Sequence, residues 1–325
     1  MFPTYHPNFD LMDELSLKKV PFFFMVDFLL EKVEVFQENE IEEESLLIDF
    51  QNFKNIKTTE AENAEIELKI LSESAEIYRK GFDFVQENLR QGNSYLTNYT
   101  VKSEIAINLT LKEIFYHSKA KYKVWYNDEF VFFSPETFVE IIDGQIYTHP
   151  MKGTIEASIE NAVEILKNDV KEKAEHFTVV DLLRNDLSMV ADDVQVDEFQ
   201  RIDFIKTQQK DLYAMSSKIS GKLKPEFQNK IGTVMKTLLP AGSILGAPKP
   251  KTLEIIVEAE NYDRGFYTGV CGWFDGENLD SCVMIRFIEK ENGKLFFKSG
   301  GGITHLSKFA DEYKEMKNKI YVPIH

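Results

Sequence analysis

The sequence is short of cysteine, of long apolar runs and of positive charge, and each shortage excludes a class of protein. Its two cysteines, Cys271 and Cys282, cannot form the disulfide framework of a small secreted domain and are typical of free thiols in a reducing compartment. The longest apolar run, residues 20–26, ends at Asp27 and falls well short of the ~20 residues of a membrane-spanning helix. The first six residues lack Lys and Arg, so a secretory leader is not expected. We therefore expect a soluble cytoplasmic protein.

Positive charge is in deficit, because 38 Lys and Arg stand against 54 Asp and Glu for a formal net charge of −16. Such a chain repels nucleic-acid phosphates and anionic lipids, so we expect neither nucleic acid nor a membrane as a partner. If the ligand is an anion, the positive charge that binds it must be concentrated locally.

Apolar residues, by contrast, are abundant enough for a large core. The hydrophobic fraction is 43% and includes 26 Phe, an ordinary globular balance. At roughly 150 residues per domain, the length of the chain allows about two domains. No linker, repeat or low-complexity tract divides it, so a clean domain boundary is not expected.

Periodicity predicts an α+β (mixed α/β) fold with antiparallel hairpins. Apolar residues three and four apart predict a helix over 72–90, and Asp143-Gly144 predicts a tight hairpin turn. Further helices are expected over 159–185, from Pro225, over 251–259 and after Gly302. Strands are expected at 20–28, 46–50, 94–101, 121–127, 130–133, 139–142, 145–149, 265–274, 281–289 and 294–298.

The glycine-rich segment 298–304 follows one predicted strand and precedes the last predicted helix. Consecutive glycines let the backbone approach a ligand and direct N–H groups at it, and a helix start favours anions. A flexible turn is the alternative interpretation.

Two predicted helices each carry a pair of glutamates one turn apart. Glu172 and Glu175 form the first pair, and Glu312 and Glu315 form the second, with Lys319 on the same helix face. Paired carboxylates supply the oxygen ligands that a hard cation such as Mg²⁺ takes. Solvated acidic helix faces explain the same pattern.

Three charged residues lie in or beside predicted strands. Arg286 interrupts an apolar segment, where a buried guanidinium either binds a carboxylate ligand or forms an internal salt bridge. Lys152 precedes a turn glycine and is either a surface charge or a nucleophile. Glu136 follows a strand and is a candidate proton donor if it is buried.

Taken together and in order, these segments resemble the chorismate-binding enzymes, which include anthranilate synthase component I, aminodeoxychorismate synthase component I and the isochorismate and salicylate synthases. The motifs that carry the resemblance are Ser134-Pro-Glu136, Pro150-Met-Lys-Gly-Thr154, Glu172-x-x-Glu-His176 with Asp181-Leu-x-Arg-Asn-Asp186, Gly242-Ser-Ile-Leu-Gly-Ala-Pro-Lys249, Glu254-Ile-Ile256, Arg264-Gly-x-Tyr-x-Gly269, Ile285-Arg286, and Gly300-Gly-Gly-Ile303 with Glu312-x-x-Glu315.

The resemblance covers roughly residues 70–325 and implies one catalytic unit over residues 1–325. Within it, residues 1–70 would be a reduced amino-terminal portion packed on the same body as the catalytic core. The implied fold is a large sandwich of two facing antiparallel sheets flanked by helices, with the site between them.

The resemblance also implies a ligand set. Mg²⁺ would hold the ring carboxylate of chorismate, with Glu175 and Glu315 as the nearest metal ligands and Glu172 and Glu312 in support. Glu136 would be the general acid for the departing C4 hydroxyl. The implied substrate-binding residues are Arg286, Tyr267, Gly301, Gly302, Lys319, Ser243 and Thr154.

Lys152 distinguishes members of the family. The motif of anthranilate synthases has Ala at this place, whereas that of aminodeoxychorismate synthases has Lys. The resemblance therefore implies that Lys152 attacks C2 of chorismate and that ammonia then attacks C4, giving 4-amino-4-deoxychorismate for 4-aminobenzoate and folate. Neither cysteine lies in a nucleophile-elbow context, so ammonia would come from a separate glutamine amidotransferase subunit. The alternatives are anthranilate synthase component I and a non-catalytic chorismate-binding protein.

The chain departs from the family pattern at two positions. His149 stands where the family has Arg before the Pro150 motif, so the supporting contact of that Arg does not carry over to this chain by resemblance. Leu96 stands where isochorismate and salicylate synthases use Lys to activate water, which argues against those activities. The amino-terminal portion is also shorter than in members with a tryptophan pocket, so we expect no inhibition by tryptophan.

Overall fold

A computed structural model describes residues 6–56, 66–72, 75–205 and 211–323. The helices are α1 (Pro7–Leu17), α2 (Ala75–Arg90), α3 (Leu111–His117), α4 (Ala162–Asn168), α5 (Val170–Val190), α6 (Ile231–Leu238), α7 (Gly242–Leu245), α8 (Lys249–Ala259) and α9 (Phe309–Asn318). The strands are β1 (Phe22–Val26), β2 (Val33–Gln37), β3 (Leu46–Asp49), β4 (Leu68–Ser72), β5 (Leu96–Ile107), β6 (Tyr122–Tyr126), β7 (Phe130–Ser134), β8 (Thr137–Ile142), β9 (Gln145–Thr148), β10 (Met151–Glu156), β11 (Ala191–Ile205), β12 (Leu212–Leu223), β13 (Gly246–Ala247), β14 (Val270–Phe274), β15 (Leu279–Val283), β16 (Phe287–Glu291) and β17 (Lys294–Ile303).

The described strands form two antiparallel sheets. Sheet A has the order β10–β12–β9–β8–β15–β14–β1–β2, and β11 also pairs with β12. Sheet B has the order β13–β5–β17–β16–β7–β6–β3, and β4 also pairs with β5. The amino-terminal segment contributes to both sheets, because β1 pairs with β14 in sheet A and β3 pairs with β6 in sheet B.

Three apolar clusters define the layers of the molecule. One cluster joins strands of both sheets through buried side chains such as Phe23 and Cys271 of sheet A and Phe132 and Phe287 of sheet B. A second packs sheet A against α1, α5, α6, α7 and α8, and a third packs sheet B against α2, α3, α8 and α9. The predicted α+β sandwich of two antiparallel sheets flanked by helices is therefore confirmed.

Local signals in the sequence locate several elements well. Tyr78, Phe82, Val85 and Leu89 are buried on one face of α2, as their spacing predicts; residues 73–74 of the predicted helix lie outside the described residues. The hairpin between β8 and β9 turns at Asp143 and Gly144, with φ of 51° and 76°. Positive φ at both central residues is the backbone of a type I′ turn.

Two predictions of local structure are wrong. Glycines 300–302 are not a turn before a helix start: they belong to β17, where they pair with residues 98–100 of β5, and α9 begins only at Phe309. Arg286 does not lie within one continuous strand, because β15 ends at Val283 and β16 begins at Phe287, and Arg286 has a φ of 56°. Both differences come from pairing between distant strands, which sequence periodicity does not report.

Across the described residues, none of the helices has both the length and the apolar character that crossing a membrane requires.

Candidate active site

One cavity, of about 100 Å³, brings together most of the predicted site residues. Its lining includes eight of them: Glu136, Lys152, Ser243, Tyr267, Arg286, Gly301, Gly302 and Lys319. They come from β10, α7, β17 and the segments after β7, α8, β15 and α9, which adjoin only in the folded chain. Thr154 is exposed on β10 and does not line this cavity, so its role stays a prediction.

The cavity is strongly cationic although the whole chain is acidic. Lys152, Arg286, Lys298 and Lys319 all line it. The Lys319 ammonium donates hydrogen bonds to the Gly300 carbonyl and to Glu315 Oε1, each at 2.7 Å. Burial lowers the pKa of Lys319, the Glu315 carboxylate opposes that shift, and the charges of Lys152 and Arg286 add to the lowering. The local positive charge that an anionic ligand needs is therefore present.

Arg286 owes its position to an unusual backbone conformation. Its left-handed φ of 56° is uncommon for a residue other than glycine. It breaks the strand and lets the guanidinium Nη1 donate to the Lys319 carbonyl at 2.8 Å. The end of α9 and the β15–β16 connection are thereby held together at the rim of the cavity.

The glycines of β17 leave room for α9. A Cβ on Gly301 would lie 3.1 Å from Glu315 Oε1 and 3.5 Å from Lys319 Nζ. A Cβ on Gly300 would lie 2.1 Å from the Tyr99 carbonyl oxygen, which no side chain tolerates. Glycine is therefore required for close packing against β5, and its absent side chains keep the cavity open.

Glu136 lies at the cavity in a short segment between β7 and β8. Its Oε1 accepts a hydrogen bond from Ser243 Oγ at 2.8 Å, and its backbone carbonyl accepts one from the Val283 amide at 3.1 Å. The carboxyl group is thus oriented by a hydroxyl from α7, and the backbone is held by the end of β15.

Lys152 extends from β10, where the pairing with β12 shifts register between Met151 and Thr154. Behind it, His176 of α5 is completely buried, with Nε2 2.7 Å from Ser217 Oγ. Burial, followed by the positive charge of Lys152, lowers the pKa of His176 to about 4. The imidazole is therefore neutral at physiological pH and does not add to the positive charge of the cavity.

The four predicted metal ligands lie on two helices: Glu172 and Glu175 on α5, and Glu312 and Glu315 on α9. Glu315 lies against Gly301, and a Cβ on Gly153 would be 3.0 Å from Glu172 Oε2. Glu312 is buried, and Glu175 lines a neighbouring cavity of about 240 Å³ with Leu96 and Thr304. Within the described ranges, no group of three or more His, Cys, Asp or Glu is arranged to hold a metal ion. Carboxylate oxygens suit Mg²⁺, but in this conformation Lys319 already bonds to Glu315.

Residues that sequence reasoning missed include Lys298 and His176. Lys298 is almost completely buried in β17, pairs with Glu289 at 2.8 Å and donates to the Arg264 carbonyl at 2.8 Å. Burial lowers its pKa, and Glu289 opposes that shift. The sequence did contain a signal for His176, because this residue directly follows Glu175 and begins the apolar part of α5.

Arg264 and Glu260 form a buried ion pair that supports this site. The two side chains are 1% and 2% exposed. The guanidinium donates to both Glu260 oxygens, at 2.8 and 2.6 Å, to the carbonyls of Asn98 and Ile244, and to Thr268 Oγ1. These five hydrogen bonds equal the five N–H donors of arginine, so one side chain ties α8 to β5, α7 and the segment that carries Tyr267.

Replacing Arg264 with methionine should destabilise the fold strongly. The change leaves the Glu260 carboxylate buried without its ion partner, so the free energy of unfolding should fall by about 3–5 kcal/mol. Urea unfolding measures the loss. Arg184→Met, which removes an exposed pair with Asp181, is the matched control and should cost no more than about 1 kcal/mol. A loss of that small size for Arg264→Met would contradict the assigned network.

The sequence of this chain matches one protein family and several known proteins. A family model described as chorismate binding enzyme matches residues 13–325. An uncharacterized PabA-like protein of Pasteurella multocida is 45% identical over 322 residues, covering 99% of both chains. Another, from Haemophilus influenzae, is 47% identical over 307 residues and covers 94% of this chain and 93% of that protein. Anthranilate synthase component 1 of Saccharomyces cerevisiae is 34% identical over 185 residues, which cover 54% of this chain and 35% of that protein.

Solved structures share the fold. Anthranilate synthase component I from Streptococcus pneumoniae superposes with a TM-score of 0.66 at 24% identity, covering 79% of this chain and 59% of that one. The menaquinone-specific isochorismate synthase of Escherichia coli superposes with a TM-score of 0.69 at 13% identity, covering 94% and 78%. At these identities the likeness concerns the fold alone.

Proposed function

Because this chain belongs to the chorismate-binding enzyme family, we propose that it is an aminodeoxychorismate synthase component I, which converts chorismate and ammonia to 4-amino-4-deoxychorismate. The observation that carries the proposal is the presence of Lys152 in one cavity with Glu136 and the cations Arg286 and Lys319. A nucleophile, a proton donor and an anion-binding group are the three parts that the reaction needs.

The roles follow from the chemistry of each side chain. Arg286 and Lys319 bind the substrate carboxylates, and Tyr267 contributes to the wall beside them. The side-chain amine of Lys152 forms a bond to C2 while the ring double bonds shift and the C4–O bond breaks. Glu136 gives its proton to the departing hydroxyl, which leaves as water. Ammonia then bonds to C4 and returns a proton to the Glu136 carboxylate, the double bonds shift back, and the Lys152 amine is expelled from C2.

Product analysis tests this assignment. The purified chain is incubated with chorismate, MgCl₂ and ammonium chloride, and the products are separated by liquid chromatography with mass detection. We expect 4-amino-4-deoxychorismate that retains its enolpyruvyl group. Anthranilate together with pyruvate as the only products would instead assign the chain to anthranilate synthesis. Absence of any chorismate conversion under these conditions would argue for a non-catalytic binding protein.

We also propose Mg²⁺ as the cofactor, held by Glu175 and Glu315 with Glu172 and Glu312 behind them. The ion would neutralise the ring carboxylate of chorismate. The support from this structure is the presence of carboxylates on both α5 and α9 and the hydrogen bond from Lys319 to Glu315 Oε1. The Lys319 ammonium already lies beside Glu315, so the surroundings of this carboxylate favour a positive charge.

Replacing Lys319 with methionine should strengthen Mg²⁺ binding and weaken chorismate binding. The metal must otherwise displace the Lys319 ammonium from Glu315, and a partly exposed pair of this kind is worth about 1 kcal/mol or less. We therefore expect Mg²⁺ affinity without chorismate to rise by about threefold, as measured by isothermal titration calorimetry. Lys314→Met, an exposed change on the same helix, is the control. Unchanged or weaker Mg²⁺ binding in Lys319→Met would refute the competition.

The nitrogen source is proposed to be ammonia from a separate glutamine amidotransferase subunit. Both cysteines of the chain are completely buried, with their Sγ atoms 3.4 Å apart, so neither is placed to attack glutamine. Two buried free thiols also favour a reducing compartment, and we propose the cytoplasm.

The isolated chain should use ammonium chloride but not glutamine as its nitrogen source. Product formation from chorismate is measured with each nitrogen source at equal concentration. Adding the amidotransferase subunit of an aminodeoxychorismate synthase should then allow turnover with glutamine. Glutamine-driven turnover by the isolated chain, after removal of contaminating ammonia, would contradict the need for a partner.

A further inference from the structure

A buried carboxylate on α5 holds one end of the short helix that carries Ser243. Asp186 Oδ2 lies 2.9 Å from Lys249 Nζ, and the two side chains are 7% and 17% exposed. Burial raises the pKa of Asp186, and the Lys249 ammonium and the Gly242 backbone amide oppose that rise. A Cβ on residue 242 would lie only 2.8 Å from Asp186 Oδ2, so the close approach requires glycine. The first residue of α7 is therefore tied directly to α5.

The chain on both sides of α7 is held by the same network. Lys249 Nζ donates to the Leu238 carbonyl at 2.8 Å, which joins the segment entering α7 to the one leaving it. Arg264 Nη1 donates to the Ile244 carbonyl at 3.3 Å. A helix of one turn has too few hydrogen bonds to be stable alone, so the position of α7 depends on these buried charges.

The position of α7 places Ser243 so that its Oγ donates a hydrogen bond to Glu136 Oε1 at 2.8 Å. Ser243 is the next residue after Gly242, so a displacement of the Asp186–Gly242 contact moves the hydroxyl directly. Replacing a buried ion pair with apolar residues often leaves stability unchanged or improves it. The stability of the fold is therefore a weak explanation for the buried Asp186–Lys249 pair beside α7.

We propose that Asp186 and Lys249 are positioning residues that orient the carboxyl group of Glu136 through α7 and Ser243. The inference rests on the proposed function, in which Glu136 protonates the leaving hydroxyl. It gives a role to Asp186 and Lys249, two motif residues for which the resemblance to the family implied none. The proposed substrate-binding cations Arg286 and Lys319 are held by the end of α9 and by β17 rather than by α7. Orientation of Glu136 and substrate affinity should therefore separate.

A double-mutant cycle tests the proposal. Asp186→Ala should lower kcat by about 10- to 100-fold, since a misplacement of about 1 Å in a catalytic group costs about that much. The KM for chorismate should change by no more than about twofold, because the anion-binding cations are untouched. Asp186→Ala combined with Glu136→Gln should be no slower than Glu136→Gln alone, because Asp186 acts only through Glu136.

Two variants separate positioning from folding. Asp186→Asn keeps a side chain of the same shape with an oxygen that can accept from Lys249 Nζ, so it should recover part of the lost kcat. Asp186→Ala with Lys249→Met removes both charges and leaves no uncompensated ion, and it should fold while remaining as slow as Asp186→Ala. Asp181→Ala, an exposed change on the same helix, is the control and should keep wild-type kcat. Thermal unfolding of each variant reports its folded state.

The cycle is read on whichever chorismate conversion the wild type performs, so it is independent of the product assignment. Wild-type conversion to a different product would refute the proposed function and leave the cycle measurable. Losses that multiply in the Asp186→Ala, Glu136→Gln variant would overturn the positioning role. A raised KM with unchanged kcat in Asp186→Ala would overturn it as well.

Discussion

Replacing Lys152 with alanine should abolish formation of 4-amino-4-deoxychorismate while leaving the protein folded. Lys152 is half-buried at the cavity and its backbone belongs to β10, so alanine preserves the strand. If the lysine is the covalent nucleophile, its loss should lower kcat by about 10³-fold or more, because removal of a nucleophile disables the whole reaction sequence. Liquid chromatography with mass detection measures the remaining product and shows whether some anthranilate appears.

Trapping the adduct makes the test direct. The wild type is incubated with chorismate and Mg²⁺ without ammonia, and intact-protein mass followed by peptide mapping locates any added mass. We expect the modification at Lys152 and none in Lys152→Ala. Lys167→Ala, an exposed lysine on α4, controls for the loss of one positive charge and should behave as wild type. Full product formation by Lys152→Ala would eliminate the covalent role.

Glu136→Gln should produce the second large effect. Glutamine preserves size and can still accept the hydrogen bond from Ser243 Oγ, but it cannot give up a proton to the leaving C4 hydroxyl. General acid catalysis contributes about 10²- to 10⁴-fold, so kcat should fall by that factor with little change in KM for chorismate. Steady-state kinetics over a range of chorismate concentrations separates the two constants.

The outcome for Glu136→Gln also bears on Lys152. If breaking of the C4–O bond is slow in this variant, the covalent adduct should form slowly even without ammonia, and the trapping experiment can measure this rate. Glu129→Gln, an exposed change, should leave both rates unaltered. A normal rate of adduct formation in Glu136→Gln would show that this carboxyl group does not assist departure of the hydroxyl.

Much of the fold was predictable because its signals are local. The apolar stripe of α2 and the Asp143-Gly144 turn depend on residues only a few positions apart, and both were located correctly. The long β11–β12 hairpin was not anticipated, because its charged and polar residues show no clear apolar alternation. The amino-terminal helix α1 was missed as well; it packs on α6, more than 200 residues away.

The candidate site divides in the same way. Residue types at motif positions identified Glu136, Lys152 and Arg286 as candidates, because their chemistry belongs to each residue alone. Whether a lysine is a surface charge or faces a carboxyl group depends on burial and on distant neighbours. Lys298 and Asp186 show this clearly, since both are charged residues that sequence reasoning assigned to no site and that the fold buries in ion pairs at or behind the cavity.

The sequence by itself determined the chemical inventory: the candidate nucleophile, the proton donor, the paired carboxylates and the excess of acid that requires a local cationic site. Only the tertiary structure decided that the glycines lie in a strand, that Arg286 breaks one, and that Lys319 lies between Gly300 and Glu315. The physical reason is range. Side-chain chemistry and helical or turn propensity act within a few residues. Strand register, burial and the meeting of β10, α7, β17 and the end of α9 around one cavity depend instead on contacts between distant parts of the chain.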